Sequence, residues 1–99
     1  MNMRQISSED GRFYIAGDGE DLAEITYKLV DSMTMIVDHT YVSEQLRGQG
    51  AGEQLVKAVV DKARNEGLSI IPQCSYAAHQ FKKHPEYGDV LKENGSGLS

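Results

Sequence analysis

Tryptophan is absent from this 99-residue chain, and only two phenylalanines occur. Leu, Ile, Val, Met and Tyr must therefore fill any core, and 39% hydrophobic residues suffice for a small one. A single cysteine, Cys74, excludes an internal disulfide and fits a reducing, cytoplasmic setting. Basic residues are in deficit: ten Lys and Arg stand against fifteen Asp and Glu, a formal net charge of −5. A general nucleic-acid binder needs basic surface to neutralise phosphates, so the charge argues against that class, although it does not exclude a local basic spot. No apolar run approaches the roughly 20 residues that span a bilayer, so no membrane partner is expected. Residues 1–8 are polar and lack the apolar segment of a signal peptide. The expectation is a single domain over residues 1–93 with a flexible Gly/Ser tail at 94–99.

Short alternating runs fill the first half. Residues 3–7 suit an edge strand, followed by the turn dipeptide Asp10-Gly11. Residues 12–16 read as a strand, and Gly17, Asp18 and Gly19 as the next turn. In residues 22–30, Ala23, Ile25, Tyr27 and Leu29 alternate with Glu24, Thr26 and Lys28, as a half-buried strand requires. After a turn at Asp31 and Ser32, residues 33–42 form the longest strand candidate. Strict alternation puts Met33, Met35, Val37, His39 and Tyr41 on one face and Thr34, Ile36, Asp38, Thr40 and Val42 on the other. Short turns imply an antiparallel meander.

The period then changes. Over residues 50–66, Leu55, Val56, Val59, Val60 and Ala63 recur at helical spacing, with Glu53 and Lys57 as an outer i, i+4 pair. Gly67 supplies the stop. Residues 68–72 suit a buried strand returning parallel to the long one. Residues 75–83 suit a second helix, with Tyr76, Ala77 and Phe81 as apolar contacts, Ser75 as a candidate cap and His84-Pro85 as its end. A last turn is expected at Asp89, Val90 and Leu91.

Between the long strand and the first helix stand Arg47, Gly48, Gln49, Gly50, Ala51 and Gly52. A glycine loop running into a helix start offers free backbone N–H groups and a positive dipole end, a seat for phosphate. The alternative is a merely flexible loop. The P-loop pattern fails, because Glu53 and Gln54 follow the last glycine instead of Lys and Ser or Thr. The dinucleotide fingerprint fails on its Gly-x-Gly-x-x-Gly spacing.

The Arg47-x-x-Gly50-x-Gly52 pattern, set between a long strand and an amphipathic helix, resembles the signature of the GNAT superfamily of acyl-CoA-dependent N-acetyltransferases. The resemblance covers residues 33–83. It implies an α+β fold: a mixed, mostly antiparallel twisted sheet with two flanking helices. It implies acetyl-CoA as cosubstrate, its pyrophosphate held by Arg47, Gly48, Gln49, Gly50, Ala51 and Gly52. Its pantetheine arm would lie along Thr40, Tyr41 and Val42. The helices that ordinary members carry between their first strands, which help build the acceptor site, have no counterpart here. The chain thus looks like the small, stand-alone GNAT-like subgroup, which residues 71–76 and 84–87 also resemble. The acceptor amine stays unidentified (small molecule, peptide or protein), and a homodimer partner could supply the missing wall. A non-catalytic acyl-CoA-binding module is the alternative to an enzyme.

Three residues are candidates for the chemistry. Cys74 stands where a helix should begin, which favours a thiolate and an acetyl-enzyme; the alternative is a small buried hydrophobe. Direct transfer, the usual family route, would not need it as nucleophile. His39, late in the long strand, is a candidate general base or a sheet-face histidine satisfied by a neighbour. The resemblance makes Tyr76, in the helix after the fifth strand, a candidate proton donor to the leaving thiolate; the alternative is a packing residue, and Tyr87 is a weaker choice. Lys82 and Lys83 suit a solvated face or the coenzyme's 3′-phosphate. Cys74, His79 and His84 lack zinc-site spacing, so no metal is expected.

Overall fold

Four strands joined by tight turns come first in the computed structural model, which describes residues 6–17, 19–46 and 48–92. They are β1 (Ser7–Glu9), β2 (Arg12–Ala16), β3 (Asp21–Asp31) and β4 (Thr34–Val42). A 3-10 turn (Glu44–Leu46) leads toward helix α1 (Ala51–Glu66), then β5 (Ser69–Pro72), helix α2 (Ser75–Lys83) and a second 3-10 turn (Pro85–Asp89). The sheet order is β1-β2-β3-β4-β5. All neighbours are antiparallel except β4 and β5, which pair in parallel across the α1 crossover, as the helical run between them implies. This is the expected α+β architecture. Residues 3–5 of the expected edge strand, Asp18, Arg47 and the tail at 94–99 lie outside the described residues.

The helix α1 packs on the sheet because its apolar residues form one stripe. Leu55, Val56, Val59, Val60 and Ala63 are all buried, against Ile25, Met35, Val37 and Ile70 of the sheet. Burial of such a side chain is worth about 1.5–3 kcal/mol, so this stripe holds the crossover in place. The helix ends where Gly67 turns left-handed at φ 72°. There the Leu68 N–H returns to the Ala63 carbonyl at 2.8 Å and buries Leu68 beside it. Leu68 therefore belongs to the helix cap and not to the strand that sequence alone suggests.

The long strand departs from strict alternation. Thr26 stands opposite His39, but the next residue, Tyr27, stands opposite Val37, leaving Asp38 as an unpaired extra residue. Such a β-bulge shifts the phase of every later side chain. Before it, Met35 and Val37 face the core. After it, Thr40 and Val42 stand opposite the buried Ile25 and Ala23, while His39 and Tyr41 stand opposite Thr26 and Glu24. His39 and Tyr41 are thus exposed on the outer face, and do not share the face of Met35 and Val37 as alternation predicts. Asp38 itself accepts a hydrogen bond from Thr26 Oγ1 at 2.6 Å.

The β4–β5 ladder ends at Val37 opposite Pro72, while β4 runs on to Val42. The amides of Gln73 and Cys74 both turn back to the Val37 carbonyl, at 3.0 and 3.1 Å. Residues 40–42 consequently have no strand partner on the β5 side. The expected last turn starts earlier, at Pro85, and then becomes an edge contact: Leu91 bridges Ile70 in parallel, covering part of β5.

Candidate functional site

Where the two strands part, a cleft of about 730 Å³ opens, within the roughly 300–1,000 Å³ usual for small-molecule sites. One wall is Thr40 and Val42 of β4. The floor is Leu46, Gly48 and Gly50 with Ala51, Gly52 and Glu53 from the first turn of α1. The third side is Tyr76, Gln80 and Lys83, spaced i, i+4 and i+7 along one face of α2.

The three glycines of the loop do different work. Gly48 and Gly50 take φ values of 84° and 78°, the left-handed region that a Cβ disfavours, and neither has a neighbour that a Cβ would strike. Gly52 is ordinary helix. A Cβ there would overlap the Tyr76 hydroxyl and lie 2.7 Å from Tyr76 Cζ. Gly50 is also the N-cap of α1 and makes no side-chain cap bond to the first turn, whose residues Ala51, Gly52 and Glu53 line the cleft. The positive end of the helix dipole lies there too.

Charge at the cleft is arranged by a pair linking the two helices. Lys83 Nζ lies 2.9 Å from Glu53 Oε2. Lys83 holds the Glu53 carboxyl below its ordinary range, and Glu53 holds the lysine above its own. The outer pair expected between Glu53 and Lys57 does not form. Lys57 pairs with Asp61 at 2.9 Å, and Glu53 reaches across to α2 instead.

Cys74 occupies the N-cap position of α2, which sequence had offered to Ser75; Ser75 is the first helical residue and is exposed. The Cys74 Sγ lies 3.4 Å from Thr40 Oγ1, beside the cleft wall. Burial pushes its thiol up, but the Thr40 hydroxyl and the Ala77 and Tyr76 amides of the first α2 turn outweigh this, and the net displacement is downward. Those amides act through proximity, without the geometry of a side-chain cap. Tyr76 moves the other way. Burial and then the negative charge of Glu53 raise its phenol, so it stays protonated near neutrality.

Of the residues singled out from sequence, Thr40, Val42, Gly48, Gly50, Ala51, Gly52, Tyr76 and Lys83 line the cleft, and Cys74 adjoins it through Thr40. The side chain of Gln49 is tied to the Gln45 carbonyl at 3.0 Å and exposed. Tyr41 is 47% exposed, and His39 also points away, both because of the bulge at Asp38. Arg47 lies outside the described residues. His84 stacks on Tyr87 with ring centroids 5.0 Å apart, and its Nδ1 lies 3.2 Å from Glu86 Oε2. Among the described residues, no three His, Cys, Asp or Glu side chains gather as metal ligands, and no helix is long and apolar enough to cross a membrane. Sequence reasoning missed Leu46, Glu53 and Gln80. The spacing of Gln80 from Tyr76, one helical turn, was the available signal for the last.

A family model described as GCN5-related N-acetyl-transferase matches residues 12–90. A GCN5-like candidate N-acetyltransferase from Staphylococcus aureus, solved in solution by NMR, shares 43% identity at a TM-score of 0.80. That similarity covers 98% of this chain and 96% of that one. Protein NATD1 of Xenopus tropicalis is 32% identical over 65 residues, which cover 66% of this chain. The match spans 60% of the length of that curated relative. A GNAT family acetyltransferase from Elizabethkingia anophelis with acetyl-CoA bound shares the fold at 20% identity and a TM-score of 0.59, over 74% of this chain and 51% of that one.

Proposed function

The chain belongs to the GCN5-related N-acetyltransferase family, and from that premise we propose that its cleft binds acetyl-CoA and that the protein transfers the acetyl group to an amine. One observation carries the reading: the uncapped start of α1, with Gly48 and Gly50 left-handed before it, opens onto the cleft. First-turn N–H groups and the dipole favour an anion there, and the coenzyme's pyrophosphate is the group that fits. Gly48, Gln49, Gly50, Ala51 and Gly52 supply the cradle, and Arg47 adds a positive charge to the same stretch. The acylated arm then follows residues 40–42, whose backbone lacks a partner on the β5 side. Its thioester comes toward Thr40 and Cys74.

The depressed Cys74 thiol and the outward-facing His39 favour a covalent route over one that needs His39 as base. The Cys74 thiolate forms a bond to the acetyl carbon, and the carbon–sulfur bond to the coenzyme breaks. The departing thiolate takes a proton from the Tyr76 phenol, which solvent then restores. An amine next attacks the S-acetyl group on Cys74, loses its proton to solvent and regenerates the thiolate. In direct transfer the amine attacks the thioester itself, and Tyr76 keeps the same role. A second reading, an acyl-CoA-binding module without catalysis, is favoured by the tight turns that stand where larger members have acceptor helices.

Mass spectrometry after incubation with acetyl-CoA alone tests the covalent route. An acetyl adduct is expected on the wild-type protein and not on Cys74→Ser; no adduct on either leaves direct transfer. Free-thiol release from acetyl-CoA across a panel of amines, set against water, tests catalysis. Coenzyme binding with no amine-dependent release would leave only the binding module.

A further inference from the structure

Gln80 has no role in the chemistry above, yet it is the most conspicuous polar group of the cleft. It is only 3% exposed, and its Oε1 has no hydrogen-bond partner among the described residues. A buried carbonyl left unpaired costs about 1–3 kcal/mol, and native structures seldom tolerate one without a reason. The residue lines the cleft, one turn after Tyr76 and one turn before Lys83. Its terminal amide turns about a soft torsion, so Oε1 can swing toward the space the side chain already borders.

We infer that Gln80 is a ligand-binding residue whose Oε1 accepts a hydrogen bond from a secondary-amide N–H of the coenzyme's arm, an inference that rests on the acetyl-CoA reading above. The chemistry of the atom narrows the partner. A carbonyl oxygen only accepts, so it pairs with neither a phosphate, which is all acceptor at neutral pH, nor the thioester oxygen. The two ends of the cleft leave the arm's middle for Gln80. Phosphate belongs at Gly50 and Ala51, and the thioester at Thr40 and Cys74. Between them the arm carries two amide N–H groups, each of which would lose its water on entering the cleft and need an acceptor.

The unpaired state also sets the sign of the test. In the free protein, replacing Gln80 with an apolar side chain of similar length removes an unsatisfied group, so stability holds or rises. In the complex the same change strands the ligand's N–H, so affinity falls. The experiment measures calorimetric affinity for acetyl-CoA and for adenosine 3′,5′-bisphosphate, which has no amide, together with the melting temperature of the free protein. Wild type, Gln80→Met and Gln80→Leu are compared, the second guarding against a packing defect peculiar to the first. The expected result is a roughly tenfold loss for acetyl-CoA in both variants, an unchanged affinity for the bisphosphate and a melting temperature at or above wild type. Unchanged acetyl-CoA affinity overturns the inference and leaves the coenzyme reading intact. Equal losses for both ligands, or a fall in melting temperature in both variants, overturn it too, because Gln80 would then serve the nucleotide or the fold. A wild-type protein that binds no acetyl-CoA overturns both readings.

Discussion

Gly52→Ala is the most informative single substitution, because its effect on stability should change sign with the residue at position 76. An ideal Cβ at Gly52 overlaps the Tyr76 hydroxyl and lies 2.7 Å from Cζ and 3.0 Å from Cε2. The ring is rigid and half-buried, so it must swing as a whole. Overpacking of this kind costs about 1–3 kcal/mol. Against it stands the gain from replacing glycine by alanine in a helix, about 0.5–1 kcal/mol. The net expectation is a loss of roughly 1 kcal/mol, or about 4–8 °C in melting temperature for a domain of this size. In a Tyr76→Ala background the obstacle is gone and only the helix gain remains, so the same Gly52→Ala change should stabilise. The assay is a double-mutant cycle over four proteins, by urea and thermal denaturation followed by circular dichroism. Equal effects of Gly52→Ala in the two backgrounds would refute the argument that Tyr76 is what demands glycine at position 52.

Glu53→Gln removes a carboxylate from beside the start of α1 and releases Lys83. Affinity for acetyl-CoA should rise severalfold at low ionic strength, and the gain should shrink as added salt shortens the Debye length below about 10 Å; calorimetry at two salt concentrations checks it, and a fall in affinity would count against the cradle. Because Lys83 lowers the folded-state pKa of Glu53, the stability their pair adds is present above the ordinary carboxylate range and lost as pH falls through the lowered value. Thr40→Val removes a hydroxyl that favours the Cys74 thiolate, so the midpoint of iodoacetamide alkylation against pH should move up relative to wild type. By the same sign rule, the thiolate's contribution to stability is present above the unfolded thiol pKa and lost as pH falls through the lowered one. An unmoved midpoint would mean the α2 amides alone set the thiol.

Much of the architecture could be read from local pattern. Each switch of period marked an element: alternation through β2 and β3, helical spacing through α1, a short apolar run at β5. The parallel return of β5 followed from the length of the crossover between it and β4. What local pattern could not give was tertiary choice among equivalent partners. Glu53 had Lys57 in the favoured helical spacing, yet its carboxylate meets Lys83, thirty residues away, because α2 runs its basic last turn past the start of α1. An exposed i, i+4 pair is worth only about 0.3–0.5 kcal/mol, too little to hold Glu53 against such a competitor.

The misplacement of His39 has a different origin, and it bears on how the site is built. Alternation is a running count, so one extra residue inverts everything after it. The count was right from Met35 to Val37 and wrong from Asp38 onward; it also failed at the strand's start, where a register shift between Leu29 and Asp31 leaves Thr34 buried and Met33 65% exposed. A trace of this was present in the chain: Met35 and Val37 occupy odd positions, while the small, β-branched Thr40 and Val42 occupy even ones. The stripe changes phase at Asp38. Without the bulge, His39 and Tyr41 would face inward, opposite an inner face of β3 that already carries the fully buried Ile25 and Ala23. Two large polar rings would then stand where the cleft wall now has a hydroxyl and an isopropyl group. The bulge thus removes bulk from the wall, brings the Thr40 hydroxyl to the Cys74 sulfur, and turns the histidine away from it. The same one-residue shift that turns His39 to the outer face supplies Cys74 with its hydrogen-bond partner.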